Sequence, residues 1–348
     1  MSIKEQGIEE ISLSEHIRKR PAMFIGGLNI AGFNYMLETF FEELLKDCNK
    51  GPVFEIDFYP LSRFKLKVIN VDTTKLFFRI EHLNSKGSLG LAVFVTLNSN
   101  ISISTDLSTS LILQGKNGNN KITIPASVPD KSNIIIDYTL DTETFKEISF
   151  SYEQINIFLR QFAFLNPALK IISIDRMTEE LQRNVFCYPT GVLKQLDFIL
   201  SKQLYEKPLL RLNIEKQTDK FFYQIGICYA YLYIEKAVIK SYAGNTETYL
   251  GGSLPDGIIA GLIQAIKHAA QKDNLEITIS KKLVLEDLNL IAAVKGEDLV
   301  FYGSTKRKLG MPKLRNEVKQ IVFEEMTAYF EANPTVKEKV VDKFRKWD

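Results

Sequence analysis

Residues 18–46 read Arg18-Lys19-Arg20-Pro21-Ala22-Met23-Phe24-Ile25-Gly26-Gly27-Leu28-Asn29-Ile30-Ala31-Gly32-Phe33-Asn34-Tyr35-Met36-Leu37-Glu38-Thr39-Phe40-Phe41-Glu42-Glu43-Leu44-Leu45-Lys46. Pro21 lacks a backbone N–H and disfavours helix in the residue before it, so a short helix capped by Ser14 ends there. Gly26-Gly27 then form a loop. Beyond it Phe33, Met36, Leu37, Phe40, Phe41, Leu44 and Leu45 recur at three- and four-residue steps, with Glu38, Glu42, Glu43 and Lys46 off that stripe. This is the pattern of an amphipathic helix that buries one face.

Working outward, Val53–Tyr59 and Phe64–Val71 alternate apolar and polar residues as strands do. Short helices are expected from Lys75 to about Leu83 and from Leu89 to Leu97, then strands and turns between Ile101 and Ile136. A helix at Tyr152–Phe164, a strand at Leu169–Ile174 and a helix at Val192–Leu204 follow. Strands at Leu209–Ile214, Phe221–Tyr233 and Ala237–Tyr242 lead to Gly251-Gly252. A helix at Ile258–Gln271, a strand pair around Glu276–Val294 and two closing helices complete the chain. The penultimate helix carries Leu314, Val318, Ile321, Val322 and Met326 on one side. The change of character near Phe150 places a domain boundary at about residue 148.

The 348 residues suffice for two domains, and 45% hydrophobic with 25% charged residues is a globular composition. A formal net charge of +2 removes any argument for nucleic acid from overall charge, leaving only local patches. Cys48, Cys187 and Cys228, like His16, His82 and His268, are scattered without metal-ligand spacing, so no metal site is expected and the thiols read as reduced, in a cytoplasmic compartment. No secretory leader and no membrane span is read.

Four motifs occur in the order of one family. Arg18 to Gly26 resembles the signature that opens the ATPase domain of DNA gyrase B, a type II topoisomerase component, with Ala22 and Phe24 as departures. Arg160-Gln161-Phe162-Ala163-Phe164-Leu165-Asn166 is similar to the helix taken to begin that family's transducer. Ser241 to Ser253, ending Gly251-Gly252-Ser253, resembles the segment ending Gly-Gly-Thr. Phe301-Tyr302-Gly303-Ser304-Thr305-Lys306-Arg307-Lys308-Leu309-Gly310 resembles the Gln-Thr-Lys loop and its sequel. The resemblance implies an α+β protein: a GHKL-type ATPase-like α/β sandwich over 1–148, with an N-terminal arm at 1–13, then a ribosomal S5 domain 2-like transducer over 149–348. No counterpart of the DNA-cleavage domain is seen, which implies something other than a complete topoisomerase chain.

In that family a glutamate on the first long helix is the general base and an asparagine one turn on holds magnesium. Counted without gaps from Gly32, those positions fall on Thr39 and Glu43. Threonine is no proton acceptor near neutral pH. A register shifted by one puts Glu38 and Glu42 there instead, which makes them weak catalytic candidates; the plainer reading is a solvated helix face. The adenine-reading turn falls on Val71-Asp72-Thr73-Thr74, without its glycines and with the aspartate displaced. The phosphate lid shrinks to Asn84-Ser85-Lys86-Gly87-Ser88-Leu89-Gly90, short for a triphosphate. Ordinary ATP hydrolysis is therefore not expected, and neither ATP nor magnesium is expected as a cofactor, although Glu43 and Asp72 are retained as weak nucleotide candidates.

Lys306 matches the family lysine that reaches the γ-phosphate, as a vestigial contact. Arg307, Lys308, Lys313 and Arg315 form an exposed basic loop and helix start or, alternatively, a phosphate-binding patch for duplex DNA. Few aromatics are interleaved with these charges in the sequence, which speaks against stacking of single strands. Ile3, Ile8, Ile11 and Leu13 suit an arm that contacts a second copy. The expectation is a homodimeric scaffolding or regulatory protein. The alternatives are an ATPase with a rearranged site and an interaction protein that mimics or inhibits gyrase.

Overall fold

The computed structural model describes residues 11–83, 88–106, 111–123, 132–146, 148, 151–203, 207–230, 237–303 and 306–345. The chain divides into two compact units, Met1–Pro189 and Thr190–Asp348. The first carries α1 (Leu13–Lys19), α2 (Pro21–Ile25), α3 (Ile30–Lys46), β1 (Cys48–Tyr59), β2 (Arg63–Val71), α4 (Thr73–Glu81), α5 (Leu89–Thr96), β3 (Asn98–Thr105), β4 (Leu111–Lys116), β5 (Asn119–Ile122), β6 (Ile134–Leu140), α6 (Tyr152–Leu165), β7 (Lys170–Asp175) and β8 (Gln182–Cys187). Its strands form one sheet in the order β5-β4-β3-β6-β2-β1-β7-β8.

The expected stripe of α3 is buried in full except Leu45, which packs partly buried against the same core. It meets the inward face of β1, where Phe54, Ile56 and Phe58 alternate with more exposed residues. Phe41 stands edge-on to Phe54 at 5.3 Å between ring centroids, a favoured aromatic geometry. α1 is capped by Ser12 rather than Ser14: the Ser12 hydroxyl accepts from the Glu15 amide at 3.2 Å while Glu15 accepts from the Ser12 amide at 2.9 Å. Only the Ser12 hydroxyl is placed to meet that third amide of the helix.

The units part after Pro189, well beyond the boundary expected near 148. β7 pairs in parallel with β1, from Val53 opposite Lys170 to Phe58 opposite Asp175, and β8 pairs with β7. The segment of α6, β7 and β8 thus completes the first sheet. Pairing across such a distance in the chain leaves no local mark in composition.

The second unit carries α7 (Val192–Leu200), β9 (Leu210–Gln217), β10 (Phe221–Tyr229), β11 (Ile239–Ala243), β12 (Thr246–Glu247), α8 (Ser253–Lys272), α9 (Lys281–Leu285), β13 (Leu288–Gly296), α10 (Pro312–Ala332) and α11 (Pro334–Asp342). Its sheet runs β12-β11-β13-β10-β9, with β11 parallel to β13 and the helix α8 in the connection. β13 is buried from Leu288 to Val294, as a central strand should be. The strand pair expected around Glu276–Val294 is only half present. Ser280 accepts from the Leu283 amide at 3.3 Å and starts α9, and Ile277 keeps a single bridge to Arg345. α8 begins at Ser253, five residues before the expected start. Pro255 sits in its first turn, where a missing N–H costs nothing.

α8 and α10 pack unusually close. A Cβ on Gly257 would fall 2.5 Å from the Arg315 carbonyl oxygen, and one on Gly261 would fall 2.6 Å from that of Lys319. Glycine at these two positions is a requirement of contact, since backbone cannot yield as a side chain can.

Candidate functional site

The face of α3 that should work on a nucleotide is covered by α5. The Thr39 hydroxyl donates back to the Met36 carbonyl at 3.0 Å. Gly90 lies on Thr39 so closely that a Cβ there would be 3.1 Å from the Thr39 carbonyl oxygen. One turn along α5, Phe94 stacks on Phe40 with centroids 3.6 Å apart, and Tyr138 of β6 stacks on Phe94 at 4.3 Å and on Phe64 of β2 at 5.2 Å. These rings are buried and occupy space between α3, α5 and the sheet. Glu38 and Glu42 sit half-buried on α3; burial first, and then their two charges, raise the pKa of the Tyr35 hydroxyl.

Glu43, which the resemblance would place at a magnesium position, is engaged by cations of the protein itself. Arg79 of α4 bonds the Glu43 carboxylate at 2.5 Å, the Glu43 carbonyl at 3.0 Å, the Asp47 carboxylate at 2.9 Å and the Ser88 hydroxyl at 3.2 Å. Lys46 adds a second cation to Glu43 at 2.7 Å. The Arg79 side chain is 16% exposed, Glu43 15% and Asp47 4%. One guanidinium thereby ties the end of α3 to the N-cap of α5. Burial raises the pKa of Asp47, and the charge and hydrogen bond of Arg79 oppose that rise. Neither Arg79 nor Asp47 is a reading the sequence suggests: they lie 32 positions apart and match no motif.

Asp72 caps α4. Its carboxylate accepts from the Lys75 amide at 3.2 Å and pairs with the Lys75 ammonium at 3.2 Å. The segment expected to hold the adenine-reading turn forms the N-cap and first turn of a helix. The backbone bond to Lys75 is the main cause lowering this carboxyl below its ordinary 3.8, against some desolvation. A carboxylate whose pKa the fold depresses stabilises above its unfolded pKa and loses that contribution as pH falls through the depressed value. Acid melts should therefore weaken α4 below about pH 4. Asp72→Asn, which keeps a capping oxygen but cannot titrate, should flatten that part of the profile when unfolding is followed by circular dichroism across pH.

Residues 84–87 of the expected lid lie outside the described residues. Ser88 caps α5, its hydroxyl accepting from the Leu91 amide at 3.2 Å, and Leu89 and Gly90 are already helical. Arg18 is engaged within its own unit, donating to the Thr96 carbonyl at 3.2 Å and to Asp141 at 3.3 Å. A cavity of about 100 Å³ on α5, lined by Ser14, Leu83 and Thr96 among others, is well below the roughly 300–1,000 Å³ typical of small-molecule sites.

In the second unit the basic loop is built against aromatics. Lys306 has a left-handed backbone (φ 54°) and its ammonium lies 5.8 Å from the centre of the Phe301 ring. Arg307 stacks over Tyr249 at 5.3 Å and Lys308 over Tyr302 at 5.5 Å. Few aromatics are interleaved with these charges along the sequence, but the fold sets three rings against them. Tyr249 is supplied by a distant segment, and Tyr302 is brought round by the loop. Lys313 and Arg315 are exposed at the start of α10. Among the described residues no helix is long and apolar enough to cross a membrane.

The sequence model of the DNA gyrase B family matches residues 191–347. The chloroplastic/mitochondrial DNA gyrase B of Nicotiana benthamiana is 25% identical, covering 98% of this chain and 52% of its own length. The DNA gyrase B of Halalkalibacterium halodurans is 26% identical, covering 97% and 58%. The chain spans about half the length of these curated relatives. Among solved structures, DNA gyrase B from Myxococcus xanthus superposes with a TM-score of 0.73 at 17% identity, covering 95% of this chain and 100% of that one. The 43K ATPase domain of Thermus thermophilus gyrase B, in complex with an aminocoumarin, gives 0.73 at 20% identity, covering 95% and 93%. At such identities these structures speak for the fold.

Proposed function

From a chain that resembles the N-terminal region of DNA gyrase B over nearly its whole length, and that has the fold of gyrase B ATPase domains, we propose a cytoplasmic, homodimeric scaffolding or regulatory protein, associated with DNA, that does not hydrolyse ATP at an ordinary rate. The observation that carries this reading is the Arg79 guanidinium on Glu43 and Asp47. It supplies, from inside the chain, the positive charge that a metal ion would bring. Tested against Mg-ATP, the residues at the expected positions do not fit. Thr39 offers no proton acceptor and is covered by Gly90, Glu43 is neutralised, and Asp72 is a helix cap.

Titration calorimetry with a non-hydrolysable Mg-ATP analogue, paired with a phosphate-release assay, checks the proposal. The expected result is no saturable heat at micromolar protein and no release above buffer. Micromolar binding accompanied by turnover would overturn it. Loss of that turnover in Glu38→Ala or Glu42→Ala would assign the base to α3.

A further inference from the structure

Three short segments of the second unit are knitted side by side. Leu309 bridges Gly252 on one side and Phe301 on the other. The Leu250 amide donates to the Arg307 carbonyl at 3.0 Å, and the Tyr302 amide donates to the Lys308 carbonyl at 2.9 Å. The dipeptide Arg307-Lys308 is therefore flanked by Tyr249 and Tyr302, each carrying one of the two cations on its ring. Gly310 keeps Tyr302 in place, since a Cβ there would stand 2.9 Å from the ring. The rings are held but not hidden: Tyr249 is 59% and Tyr302 63% exposed. An aromatic left this accessible forgoes most of the stabilisation that burial would bring.

We propose that this surface binds single-stranded nucleic acid, bases stacking on Tyr249 and Tyr302 and phosphates meeting Arg307 and Lys308. Aromatic platforms beside fixed cations suit an unpaired strand, whose bases have free faces, better than a duplex, whose bases are stacked on one another. An anionic protein segment would use the charges but leave the paired rings without a planar partner. The site goes beyond the scaffold reading and stands whether or not nucleotide binds elsewhere.

The test is fluorescence anisotropy of a labelled oligothymidylate with the full chain. Binding should weaken steeply with salt. Tyr249→Ala and Tyr302→Ala should each weaken it about 5- to 150-fold, the range stacking on one aromatic implies. Tyr→Phe at either position should bind nearly as the parent does. Arg307→Ala should reduce the log–log salt slope by about 0.7, the value for one phosphate contact on a single strand. Both tyrosines are exposed, so unchanged melting temperatures will show that the variants fold. Absence of strand binding overturns the proposal. Binding of a matched duplex at least as tight, indifferent to both tyrosine variants, also overturns it and leaves a phosphate patch only.

Discussion

Arg79→Ala is expected to destabilise the protein by about 3–5 kcal/mol, the cost of stripping the cation from a nearly buried ion pair. Two carboxylates would remain with little access to water, Asp47 above all. For a unit of this size that corresponds to a fall in melting temperature on the order of 10 °C. The loss should be smaller in mild acid. Burial already lifts the Asp47 carboxyl, Arg79 holds it back, and without Arg79 it would rise further and take up a proton more readily. Combining Arg79→Met with Glu43→Gln and Asp47→Asn should restore much of the stability, because no bare charge is then left behind. Calorimetric melting at two pH values measures all of this. An unchanged melting temperature in Arg79→Ala would show that the guanidinium does not hold the three helices together.

Gly261→Ala and Gly257→Ala should also destabilise, against the expectation from helix propensity. Alanine favours an isolated helix over glycine by about 1 kcal/mol. Here the added carbon would meet the Lys319 or the Arg315 carbonyl at a distance real carbons do not tolerate. Relief requires α8 and α10 to move apart along a shared core that includes Leu262, Val318 and Val322. Overpacking of this kind costs about 1–3 kcal/mol per site. Amide exchange in α8 and α10 should speed up in both variants and more in the double. If either variant is more stable than the parent, the close approach is not a constraint.

Local reading succeeds where the chain's own periodicity decides. The α3 stripe, the alternation in β1 and β2, and the apolar side of α10 follow from which residues must leave water, and the structure buries them as expected. Local reading fails where two outcomes share one pattern. Leu275, Ile277 and Ile279 alternate like a strand, yet Ser280 caps a helix and the segment gains only one bridge. Asp72 reads as a displaced turn residue, and the fold makes it a cap.

The sequence by itself determined most of the helices and strands, the resemblance to gyrase B, and which residue types stand at the positions that resemblance assigns to nucleotide chemistry. Those properties reside in single residues and their near neighbours. Tertiary structure alone decided that β7 and β8 join the first sheet, that Arg79 neutralises Glu43 and Asp47, and that Tyr249 comes to lie under Arg307. Each joins groups far apart in the chain. Pairing of strands, charges and rings depends on distance in space, which spacing along the sequence does not encode.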